Sequence, residues 1–129
     1  PRIINISSIA ASNPQEIFPH YNAMKAGLSN LTVSLAQTLA EDGICVNTIS
    51  PGPVWSRSWE QEAEAQGSGS SSEEAKKNIM EQTGESIPLK RMGMPEDLTG
   101  LALFLASEQS AWITATNFTV DGGLTRNPF

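Results

Sequence analysis

With 129 residues, 39% of them hydrophobic and 17% charged, the chain has the size and composition of one folded domain, which excludes a disordered tail. Eight basic residues against fourteen acidic ones give a formal charge of −6 with no basic stripe, which argues against nucleic acid or an anionic membrane as a partner. Cys45 stands alone, so a disulfide framework is excluded and a buried, reduced thiol is expected. No stretch nears the roughly 18 consecutive apolar residues of a membrane span, and no signal pattern opens the chain. A soluble, cytoplasmic protein is the expectation.

The first predicted element is a strand, Arg2 to Ile6, where Ile3, Ile4 and Ile6 form the near-continuous β-branched run of a parallel strand covered on both faces. A chain that opens inside its own sheet is expected to be the carboxyl-terminal portion of a longer fold. Ser7-Ser8 ends the strand, and a loop follows from Ile9 to His20 with Asn13-Pro14 and Pro19 as breakers. The longest element is a helix from Tyr21 to Ala40, roughly 30 Å at 1.5 Å per residue. Met24, Leu28, Leu31, Leu35 and Leu39 recur at spacings of three and four, which predicts an inward apolar stripe. A second stripe of small residues, Ala23, Ala26, Gly27, Asn30 and Ser34, would let a partner helix approach.

Gly43 suits the left-handed turn that ends this helix, and a second strand spans Ile44 to Ile49. Strand, long helix and strand make a right-handed βαβ unit. Pro51-Gly52-Pro53 breaks the chain directly after it. From Trp55 to Pro88, two short helices around a Gly/Ser hinge read as a lid. Trp55, Trp59 and Met80 there are candidates for contact with an apolar substrate or for packing on the body. Pro95 opens another helix with Leu98, Leu101, Ala102 and Leu105 inward, Trp112 is expected to plug the core, and a last strand runs Asn117 to Val120. This alternation of strands and helices predicts an α/β doubly wound parallel sheet, in which ligands sit beyond the carboxyl ends of the strands. Ser8, Pro51-Gly52 and Asp121 all fall there, while no glycine-rich phosphate loop is present. No His/Cys/Asp cluster has metal-ligand spacing, so no metal is expected.

Tyr21 and Lys25 stand four apart on one helical face, which brings an ammonium near a phenol. With Ser8 closing one strand and Pro51-Gly52 following the next, these residues converge at one edge of the sheet. Asn5-Ile6-Ser7-Ser8, Tyr21-Asn22-Ala23-Met24-Lys25, Val46 through Val54, Arg91 through Asp97 and Val120-Asp121-Gly122-Gly123, in that order, resemble the signatures of the short-chain dehydrogenase/reductase family. The resemblance covers essentially the whole chain. It implies a Rossmann-like domain over residues 1–129, carboxyl-terminal half only, with 55–88 as a helical substrate lid and the amino-terminal nucleotide-binding half absent.

The family likeness further implies an NAD(P)-dependent oxidoreductase that moves a hydride between NAD or NADP and an alcohol or ketone, with Ser8, Tyr21 and Lys25 as catalytic residues. A phenol is a poor base at neutral pH, and a neighbouring cation lowers its pKa by about 1 to 3 units. Tyr21 would then exchange the substrate proton while Ser8 hydrogen-bonds the substrate oxygen. Tyr21 and Lys25 would also border the cofactor, Lys25 at its ribose, with Pro51, Gly52, Val54 and Ser56 at the nicotinamide end. The implied partners are the missing amino-terminal segment, a small-molecule substrate and further copies in a homo-oligomer, dimer or tetramer. The alternative is a non-catalytic oligomerisation module, against which the retention of Ser8, Tyr21 and Lys25 argues.

Overall fold

The structure is a computed structural model that describes residues 1–67 and 69–128. In chain order it holds β1 (Arg2–Ile6), α1 (Pro19–Leu39), β2 (Cys45–Pro51), α2 (Arg57–Gln66), α3 (Ser70–Ser86), α4 (Glu96–Ala106) and β3 (Asn117–Val120). Two compact units share these elements: Pro1–Pro51 with Leu98–Val120, and Gly52–Asp97 with Asp121–Phe129.

The first unit carries the parallel sheet, in the order β1-β2-β3. Arg2 pairs with Cys45 through to Ile6 with Ile49, and Thr48 with Asn117 through to Pro51 with Val120. All three carboxyl ends therefore lie at one edge. β2 is buried from Val46 to Ser50, although three of those five residues are polar. Each polar side chain is satisfied, as burial demands. Asn47 donates to the Ile113 carbonyl at 2.8 Å and accepts from the Thr116 amide at 3.1 Å, and the Ser50 hydroxyl donates to the Asn117 side-chain oxygen at 2.7 Å.

α1 packs on this sheet by a face turned part-way from the predicted one: Leu28, Leu35 and Leu39 of the apolar stripe are half-buried, but the stripe is not the buried centre. Met24 is 72% exposed and Leu31 49%, whereas Asn22, Thr32 and Ala36 are buried. The sheet beneath α1 explains the rotation. Asn5 and Thr48 both present polar groups to the helix, each donating to the Thr32 hydroxyl oxygen at 2.9 and 2.8 Å, and Thr32 donates in turn to the Leu28 carbonyl. A leucine stripe laid there would have left those groups buried and unpaired, at a cost of about 1–3 kcal/mol for each.

The helix starts at Pro19, since proline at the first helical position loses no hydrogen bond. His20 therefore sits in the first turn of α1, not in a leading loop. Gly43 is left-handed (φ 71°) as expected. Cys45 is free and half-buried, less enclosed than predicted. Leu105 is fully buried on α4 with Leu98, Leu101 and Ala102 half-buried beside it, so that stripe is as predicted. Trp112 is not a plug, being 99% exposed. The interior position of its turn goes to Ser110, whose hydroxyl donates to the Leu105 carbonyl at 2.8 Å.

The second unit has its own core: Trp55, Ala63, Ala75, Ile79 and Met92, with Trp59, Met80 and Met94 against them. Trp55 ties both helices, donating its indole N–H to Glu60 at 2.8 Å and receiving the Lys76 ammonium over its ring at 4.9 Å. α3 is a full-length helix, longer than the short one predicted, while Ser68 of the expected hinge lies outside the described residues. The unit spans more of the chain than the 55–88 lid.

Arg91 grips Asp97 through two hydrogen bonds of 2.7 Å, and Asp97 also accepts the Met94 amide at 2.8 Å ahead of α4. The Arg91 hydrogen bonds, with the Met94 amide, hold the Asp97 carboxyl far below the usual carboxylate range. A depressed folded pKa contributes stability above the unfolded value of about 4, lost as pH falls through the folded one. Asp97→Asn should therefore lower the denaturation midpoint at neutral pH, with the gap to wild type closing as pH drops below about 4. A gap that stays constant down to pH about 2 would contradict this assignment.

Candidate active site

The turn that carries Tyr21 and Lys25 is built by Pro19, which fixes the start of α1 and sets the two side chains one above the other. The Lys25 ammonium lies 5.6 Å from the centre of the Tyr21 ring and donates to the Ile6 carbonyl, the last residue of β1, at 2.9 Å. Lys25 thus points to the strand end, not into bulk solvent. Tyr21 is 44% exposed, and its phenol makes no hydrogen bond among the described residues. It is open to a ligand.

Ser7 and Ser8, adjacent in sequence, have different fates. Ser8 is half-buried and accepts the Ala10 amide at 3.1 Å as the cap of a short 3₁₀ turn, Ile9–Ala11. Its own hydroxyl proton stays free for another acceptor. Ser7 is buried, donates to the Lys25 carbonyl at 2.9 Å and accepts from the Ser29 hydroxyl at 3.0 Å. Ser7 is thus occupied by the scaffold and Ser8 is available. Ser29, one turn past Lys25, was missed by the motif reading, though its i+4 spacing places it on the Lys25 face. Asn22 was missed too. Buried after Tyr21, it donates to the Gln15 carbonyl at 2.7 Å and ties the preceding loop to the helix.

Of the residues assigned to the nicotinamide end, Pro51 ends β2 and pairs with Val120 in the first unit. Gly52, Val54 and Ser56 belong to the second unit. Gly52 lies so close to Asp121 that an added Cβ would stand 2.6 Å from the Asp121 Cβ, so the glycine is required by packing. Burial pushes the Asp121 carboxyl up, but hydrogen bonds from Thr125, Gly123 and Leu124 outweigh that and hold it below its ordinary value. Val54 bridges to Gly93 through the neighbouring Pro53 carbonyl and Trp55 amide, both at 2.9 Å. Val54's own N–H and C=O are left without a partner among the described residues. Ser56 leads into α2 with no capping bond from its side chain. One amide donor, one carbonyl acceptor and a spare hydroxyl match what a carboxamide needs.

Residues 1–125 match a family model described as enoyl-(acyl carrier protein) reductase. Acetoacetyl-CoA reductase of Cupriavidus necator is 32% identical over 123 residues, covering 95% of this chain and 45% of that protein. L-2,3-butanediol dehydrogenase of Corynebacterium glutamicum is 40% identical over 126 residues, covering 98% and 48%. Among solved structures, L-sorbose reductase from Gluconobacter frateurii complexed with NADPH and L-sorbose superposes with a TM-score of 0.87 at 31% identity, over 98% of this chain and 48% of that one. The chain spans about half the length of the curated relatives it matches. No helix among the described residues is long and apolar enough to cross a membrane.

Proposed function

The chain belongs to the short-chain dehydrogenase/reductase family, and from that membership we propose that it supplies the catalytic residues of an NAD(P)-dependent oxidoreductase acting on an alcohol or ketone. The observation that carries the proposal is the Lys25 ammonium, held between the Ile6 carbonyl and the face of an open Tyr21 phenol. Tyr21 is the general acid/base: its oxygen takes the alcohol proton in oxidation and returns it in ketone reduction. Negative charge stands on the phenol oxygen before it takes the alcohol proton and reappears when it gives the proton to a ketone, and the Lys25 cation beside the ring stabilises that charged form. Ser8 donates its free hydroxyl proton to the substrate oxygen, where negative charge develops.

A bound nicotinamide supplies the hydride donor or acceptor, which no side chain of the chain provides. Lys25, which keeps donors beyond the one spent on Ile6, would hold the ribose. Val54 would take the carboxamide through its unpaired N–H and C=O, with Ser56 adding its hydroxyl, so that one ring face is presented. Residues 55–88 are proposed as the helical substrate lid. The proposal places turnover in the full-length protein. Its test is nicotinamide absorbance on a panel of alcohols and ketones with NAD and NADP: oxidation or reduction of the cofactor is expected, and no change with any pair would end it.

A second reading, assembly, is favoured by the open edge of the sheet. Among the described residues β1 pairs with β2 alone, and Ile3 and Ile6 are 37% and 49% exposed. Such an edge recruits another strand or aggregates. Residues 1–129 expressed alone are therefore expected to sediment as a complex, by self-association or with a complementary segment, and a monodisperse folded monomer would contradict this.

A further inference from the structure

Lys25 is held at two points, and only one is its ammonium. Its backbone carbonyl receives the Ser7 hydroxyl at 2.9 Å and lies 3.1 Å from the Ser29 hydroxyl, which is itself 3.0 Å from Ser7. Ser7 is 4% exposed and immediately precedes Ser8, so one buried hydroxyl joins the strand end that bears Ser8 to the helical turn that bears Tyr21 and Lys25. Besides this and the Lys25 ammonium on the Ile6 carbonyl, α1 is tied to β1 by Asn5 and to β2 by Thr48, both at Thr32, two turns further along.

Packing alone does not demand this arrangement. Alanine at Ser7 and Ser29 would fill the same buried seam without a proton to place, and the Lys25 carbonyl would still accept its intrahelical amide. What the two hydroxyls add is direction. A Ser–Ser–carbonyl triangle with two protons to share fixes the rotation of the α1 turn about the end of β1, and that rotation sets where the Lys25 ammonium and the Tyr21 phenol stand relative to Ser8.

We infer that Ser7 and Ser29 are positioning residues, which lock the Lys25 turn of α1 to the end of β1 so that Ser8, Tyr21 and Lys25 address one substrate oxygen. The inference rests on the catalytic roles proposed above. Loss of the Ser7 hydroxyl lets the turn shift against the end of β1, which loosens the Lys25 ammonium from the Ile6 carbonyl and moves Tyr21 and Lys25 together relative to Ser8.

In the full-length protein, Ser7→Ala is expected to lower kcat about tenfold or more with KM for the substrate within about twofold, because the loss falls chiefly on the transition state. The limb of the pH–rate profile for alcohol oxidation that reports the base should move to higher pH, and Ser7→Thr, which keeps the hydroxyl, should restore it. Ser29→Ala, at a half-buried helical site, should move the same limb with a smaller loss. It decides the matter if Ser7→Ala does not fold. The double variant should be no slower than Ser7→Ala, since the two share one network. A Ser7→Ala or Ser29→Ala enzyme with wild-type kcat and an unmoved limb overturns the inference, as does a loss confined to thermal stability. If Tyr21→Phe retains full turnover, the catalytic assignment itself fails, an outcome distinct from wild-type behaviour of the serine variants alongside an inactive Tyr21→Phe.

Discussion

Replacing Tyr21 with Phe in the full-length protein is expected to cut kcat by about 10²–10⁴-fold, the usual contribution of a positioned general acid/base, while KM changes little. The substitution is clean. Phenylalanine keeps the ring over which Lys25 lies at 5.6 Å and removes only an oxygen that no other described group bonds. No buried partner is orphaned, so the fold and the melting temperature should hold. Nicotinamide absorbance gives the rate, and circular dichroism confirms the fold. Turnover within about threefold of wild type would mean that the proton travels by another route.

The second large effect is on stability. Gly52→Ala should destabilise by about 1–3 kcal/mol, the range for forcing extra atoms into a filled interior. The added Cβ would stand 2.6 Å from the Asp121 Cβ and 2.9 Å from its Cα, and Asp121 cannot yield cheaply. Its carboxylate is anchored by the Gly123 amide at 2.9 Å and the Thr125 amide at 2.8 Å. Gly27→Ala is the control, because a Cβ there meets nothing within 4 Å. In the interior of α1 it should be neutral or add about 0.5–1 kcal/mol. Chemical denaturation of both variants checks the pair, and a Gly52→Ala midpoint equal to wild type would show that Asp121 moves aside.

Much of this was legible before any coordinates. The isoleucine run of β1, the breakers around Pro51 and the Asp121-Gly122-Gly123 turn each carry a local signal, and they mark the strands and the edge at which they end. The i+4 spacing of Tyr21 and Lys25 placed an ammonium by a phenol, and the structure puts them there. The inward face of α1 was legible only in part, since Leu28, Leu35 and Leu39 are half-buried but Met24 and Leu31 are exposed. Periodicity ranks a helical face by its own apolarity, whereas the choice between the Met24/Leu31 stripe and the Thr32/Ala36 stripe was made by Asn5 and Thr48, residues of the sheet whose donors end on the Thr32 hydroxyl. Trp112 failed for a related reason: its size argues for burial, but the turn that carries it closes on Ser110. The Gly52 to Asp121 approach joins segments far apart in the chain, and no local pattern announces it.

The most direct measurement is isotopic. Full-length protein given NADH or NADPH with both hydrogens at C4 of the nicotinamide replaced by deuterium and a panel of ketones, with the products read by mass spectrometry, should yield alcohol carrying one deuterium on the carbinol carbon, and Tyr21→Phe should yield almost none in the same time. Alcohol without deuterium, or a Tyr21→Phe enzyme that forms deuterated alcohol at the wild-type rate, would contradict the roles assigned to Ser8, Tyr21 and Lys25.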